Sequence, residues 1–110
     1  MKYLCLVYLE EQRLGELRDE DCVDFDTEIR ADKHCLASEA LESVQTATTV
    51  RMRDGKVSIT DGPFAETKEQ LGGYHLIECQ NLDEALAIAR RIPTLEAGGA
   101  IEVRPLDPSM

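Results

Sequence analysis

The sequence predicts an α+β fold, a ferredoxin-like split βαβ domain with an extra hairpin strand. Three observations predict it. Residues 2–9 form an apolar run suited to a central strand covered on both faces. Two stretches of helical apolar spacing, from Asp19 and from Leu82, each fall between strand-like segments. An Asp54-Gly55 pair joins two alternating, β-branched segments, which marks a tight hairpin. The resulting order is β, α, β-hairpin, β, α, β. Two helices cover one sheet face and leave none for the other. A bare apolar sheet face is an association surface, so the pattern predicts a twofold homodimer with its sheets face to face.

Each element has its own grounds. In the first strand, Tyr3, Cys5, Val7 and Leu9 share one face and Leu4, Leu6 and Tyr8 the other. Residues 10–18 are polar and read as a loop or a first helical turn. From Asp19 a helix is expected, with Asp19, Glu20 and Asp21 at its positive end. Cys22, Phe25, Ile29 and Leu36 keep the spacing of one apolar stripe, which carries this helix to about residue 36 and places His34 at its end. Thr46 to Met52 and Lys56 to Thr60 are the two hairpin strands, and Gly73 to Cys79 is the next strand. Asn81 and Glu84 form a capping-box pattern for a helix along Leu82, Ala85, Leu86, Ala89 and Ile92, stopped by Pro93. Ala100 to Arg104 is a last short strand with Ile101 and Val103 inward.

Length and charge narrow the function. The 110 residues make one domain, 1–110, with enough chain for a modest core. A net charge of −10 repels phosphate backbones and anionic membranes, so neither direct nucleic-acid nor membrane binding is expected. The four cysteines at 5, 22, 35 and 79 form no C-x-x-C pair, so no metal site is expected. No P-loop, dinucleotide or metalloprotease fingerprint occurs, and no cofactor is expected. The N-terminus lacks a signal-peptide layout and its apolar run is too short to span a bilayer, so a reducing, cytoplasmic location is expected.

Chemistry is expected around Asp61-Gly62-Pro63-Phe64-Ala65-Glu66-Thr67-Lys68-Glu69-Gln70, a turn and charged segment between two strands. Asp61 is a candidate general base, or a residue that only caps turn amides. Gly62 and Pro63 shape the bend, and Phe64 is expected to anchor it in the core or a dimer interface. Glu66 and Lys68 are candidate ligand contacts, or ion pairs that lock the loop. Tyr74 and His75 point to opposite faces of their strand. One faces the helices and the other the interior between the two sheets; if it is His75 that faces this interior, it would pair with Asp61. Cys22 is a candidate nucleophile, or an inert thiol on the apolar stripe. Tyr8 and Glu39 lie near the same expected rim as possible ligand contacts. Arg51 and Arg53 share one strand face and suit an anionic ligand or the acids of a partner subunit.

The motif from Asp61 to Tyr74 resembles the DGPF-domain branch of the YCII-related superfamily. Met1 to Tyr8, Thr46 to Arg51, Arg53 to Val57 and Ile101 to Pro105 extend the resemblance over essentially the whole chain. It implies a ferredoxin-like protomer in a dimeric α+β barrel. It implies little about activity, since most such proteins have no assigned one. Some relatives are fused to, or encoded beside, extracytoplasmic-function sigma factors, which makes a sigma factor a possible partner of a ligand-sensing module. The superfamily also includes a dehydrochlorinase acting on a chlorinated hydroxyquinol, for which a histidine–aspartate pair has been proposed. The seat of that histidine falls near Cys22 in this chain, and the aspartate carries over to Asp61.

Overall fold

The computed structural model describes residues 1–16 and 19–109. Eight elements of regular structure organise them: β1 (Lys2–Leu9), α1 (Asp19–Ala31), β2 (Cys35–Ala40), β3 (Thr48–Arg53), β4 (Lys56–Asp61), β5 (Gln70–Glu78), α2 (Leu82–Ala89) and β6 (Ala100–Pro105). Four strands form one sheet in the order β2-β5-β1-β6, with every neighbouring pair antiparallel. Removing β3 and β4 leaves β1-α1-β2-β5-α2-β6, the ferredoxin-like connection. Of the polar segment 10–18, Glu11–Glu16 form a short 3-10 turn, and Leu17 and Arg18 lie outside the described residues.

Two expectations are corrected. The first helix does not run to residue 36. It ends at Ala31, and Leu36 belongs to β2, a strand that the helical spacing concealed. The stop is a Schellman arrangement. His34 N donates to Ile29 O at 3.1 Å, Lys33 N donates to Arg30 O at 3.1 Å, and Lys33 takes φ 62°. Glycine usually fills that left-handed position, and lysine there gives no warning of the stop. The second correction follows from the first. The extra element is the entire β3–β4 hairpin, which forms a separate two-stranded sheet. Its turn is as expected: Asp54 and Gly55 both have positive φ, at 52° and 75°, and Arg53 pairs with Lys56.

The core lies between the helices and one face of the sheet. Tyr3, Cys5, Val7 and Leu9 of β1 are buried there with Ile77 of β5, Phe25 and Ile29 of α1, and Ala85, Ile88 and Ala89 of α2. Ala85, Ile88 and Ala89 are the buried residues of α2, whereas Leu82 and Leu86, expected in the stripe, are exposed. Asn81 caps α2 by accepting from Glu84 N at 3.0 Å. Leu4, Leu6, Tyr74 and Leu76 line up across the opposite sheet face, which neither helix covers.

Candidate functional site

His75 stands in the middle of β5, opposite Cys5 on one side and Ser38 on the other. Because Cys5 belongs to the buried face of β1, His75 points toward the helices and not toward the open face, which Tyr74 takes. Its ring meets Phe25 of α1 edge-on, with centroids 5.3 Å apart and planes at 81°. Ser38 Oγ and His75 Nδ1 share a hydrogen bond of 2.8 Å. Burial pulls the imidazole pKa below its ordinary 6.5; nearby Asp26 opposes this and Arg30 adds to it. His75 is therefore neutral at pH 7.

These residues line a cleft of about 360 Å³ between α1, the β2–β5 edge and the turn after α2. Cys22 and Asp26 reach it from one face of α1, one turn apart, and Glu39 borders it from β2. Thr94 closes the far side. Asp26 Oδ2 accepts from Arg30 Nε at 2.8 Å. Asp26 Oδ1 and Thr94 Oγ1 are buried with no hydrogen-bond partner among the described residues. Leaving a buried acceptor or hydroxyl unpaired costs about 1–3 kcal/mol, so such groups mark places where a polar guest is stabilised.

A second, larger cavity of about 930 Å³ opens under the Asp61–Gln70 segment. Pro63 and Phe64 form one wall, Leu41 and Val44 another, and Tyr8 and Lys68 reach it from the sheet end. Here the motif works as a brace. Gly62 adopts φ 105°, a conformation that favours glycine, and its N–H donates to Ala47 O at 2.7 Å. Thr49 Oγ1 donates to Gly62 O at 2.8 Å, and Arg51 donates to Phe64 O at 3.2 Å. Phe64 is 77% exposed, so within the chain it anchors no core. Lys68 Nζ lies 3.8 Å from Glu10 Oε1, an exposed pair worth little.

The residues singled out in the sequence thus divide between two cavities. Cys22, Glu39 and His75 border the smaller one, and Tyr8 and Lys68 border the larger. Asp61 is exposed at the end of β4 and lines neither, as does Glu66. His34 is held at the start of β2, where Nδ1–H donates to Glu78 O at 3.0 Å. Cys5 is no nucleophile: burial, with Cys79 nearby, pushes its thiol up to about 11. Ser38, Asp26 and Thr94 escaped sequence reasoning. Ser38 sits on β2, a strand whose first residues, Cys35 and Leu36, fall within the span expected to be helix, and nothing in local spacing singles out the other two.

A YCII-related domain matches residues 1–108. The chain belongs to the YCII-related family. An uncharacterized protein of Rhizobium meliloti (strain 1021) is 52% identical to this YCII-related chain over 61 residues, 54% of the chain and 49% of that protein. The chain thus spans about half the length of the curated relative it matches. Among solved structures, the 5-chloro-2-hydroxyhydroquinone dehydrochlorinase from Burkholderia phenoliruptrix AC1100, in complex with 2,5-dihydroxybenzoquinone, superposes with a TM-score of 0.57. The match covers 97% of the YCII-related chain and 94% of the dehydrochlorinase, at 14% identity. That likeness is one of fold. Among the described residues, no helix is long and apolar enough to cross a membrane, and no group of three or more His, Cys, Asp or Glu side chains is placed to hold a metal ion.

Proposed function

We propose that this chain is an acid–base protein of the DGPF-domain branch, a cytoplasmic homodimer that binds a small cyclic or aromatic compound and moves a proton on it in an elimination or isomerisation. One observation carries the reading. Among the described residues, the two buried side-chain polar atoms that lack a partner, Asp26 Oδ1 and Thr94 Oγ1, belong to residues that border the cleft holding the Ser38–His75 pair. With Nδ1–H donating to Ser38 Oγ, Nε2 carries a bare lone pair and is the base. The lowered pKa keeps that nitrogen unprotonated at neutral pH, as a general base requires. Thr94 and Asp26 then orient the hydroxyl groups of the ligand. Cys22 occupies the position where the resemblance places the family histidine, and it borders the same cleft. Asp61 serves the motif loop in this reading.

The dehydrochlorinase suggests the probes, hydroxylated rings and quinones. Titration calorimetry with 2,5-dihydroxybenzoquinone and chloride release from 5-chloro-2-hydroxyhydroquinone test the reading. The His75→Gln chain is expected to fold and to lose about 10²–10⁴-fold in turnover, and Ser38→Ala roughly 10-fold. Wild-type protein that neither binds nor turns over these rings sinks the substrate class. His75→Gln turnover within twofold of wild type removes the base.

A further inference from the structure

The β3–β4 hairpin has one face that no described residue of the chain covers. Val50 pairs with Ile59 and Met52 with Val57, so the four side chains make one apolar face. They are 67%, 71%, 67% and 58% exposed, in that order. Thr49, Arg51, Ser58 and Thr60 alternate onto the other, polar face. A two-stranded ribbon with a bare apolar face is marginal in water, and four cross-strand apolar residues are not scattered surface hydrophobics.

The whole molecule shows the same surplus. Its accessible surface is 7974 Å², against ~6,100 Å² for a folded monomer of 12.3 kDa. Its radius of gyration is 15.7 Å, against ~13 Å for a domain of this length. The excess of about 1,900 Å² per chain is more than the ~800 Å² that a standard interface takes from each partner, and falls within the range for obligate homodimers. Charge points the same way. Residues 48–61 carry Arg51, Arg53 and Lys56 against Asp54 and Asp61, a net +1, while the rest of the chain carries −11. A basic arm on an acidic body is self-complementary between two copies.

We propose that β3–β4 is a dimerisation arm whose apolar face packs on a second copy of this chain, extending an interface that begins at the open sheet face. The inference rests on the homodimer of the proposed function and assigns the arm to it. Light scattering and dilution sedimentation of wild type and Ile59→Lys test it, with far-UV circular dichroism as the control for folding. Wild type is expected at the mass of two chains. Ile59→Lys is expected to raise the dissociation constant roughly 30-fold or more with an unchanged spectrum, because Ile59 is exposed in the single chain. The double variant Val50→Thr/Ile59→Thr, which keeps β-branched side chains, is expected to act in the same direction. A dimer as tight as wild type in both variants overturns the arm and leaves the homodimer standing. A wild-type mass of one chain overturns both.

Discussion

His75 is in contact with both the core and the cleft, and its protonation therefore links stability to the proposed function. Its pKa in the folded chain lies below the ordinary 6.5 that it recovers on unfolding. As pH falls through about 6.5, the unfolded chain takes up a proton that the folded chain refuses, so this contribution to stability is lost on acidification and levels off below the folded pKa. Urea unfolding at pH 7.5 and 5.5 should show a smaller loss of stability in His75→Gln than in wild type. Equal losses would mean that burial does not hold the imidazole neutral. Lys33 is a second residue with a measurable role. At φ 62° it bears the strain of a left-handed side chain, about 1 kcal/mol, which glycine relieves. Lys33→Gly should raise the urea midpoint by up to about 1 kcal/mol of stability with an unchanged slope, and a drop would show that the Lys33 side chain contributes more than its backbone costs.

Elements here are held mainly by one buried stripe each. Ile29 of α1 and Ile77 of β5 are fully buried, and the first fastens the helix that forms the cleft wall. Ile29→Ala should destabilise by about 2–5 kcal/mol, read by thermal or urea unfolding. A loss under 1 kcal/mol would mean that α1 is loosely seated. The α2 helix depends more on its start. Replacing Asn81 by Ala removes the bond to Glu84 N and should cost about 1 kcal/mol, a fall in Tm of about 4–8 °C. Gly73 marks how closely β2 and β5 approach, since a Cβ there would sit 2.9 Å from Glu39 O. That approach brings Ser38 within reach of His75.

At the scale of the molecule, neither helix covers the open sheet face, and the apolar face of the arm is exposed. The proposed homodimer ties folding to association, so its stability depends on protein concentration. Tm should rise as the concentration of wild type is raised from about 1 to 100 μM, and this dependence should be weaker in Ile59→Lys. A Tm independent of concentration would argue for a chain that is stable alone. The acidic body repels anionic partners at long range, an effect that added salt screens.

Periodicity and turn chemistry by themselves determined β1, the Asp54-Gly55 turn, the Asn81 cap, the inward faces of β6 and the α+β class. These are local, because the residues that cause them lie within a few positions of one another. The sequence also pointed to Cys22, Glu39 and His75, but not to their shared cleft. Only the tertiary structure decided that α1 stops at Ala31, because the stop is a backbone conformation adopted by a lysine. From that stop follow β2, the pairing of Ser38 with His75, and the choice of sheet face for His75. Asp26 and Thr94 matter through their burial, which no spacing reveals. The apolar hairpin face was readable as alternation, but whether anything covered it depended on where the rest of the chain had gone.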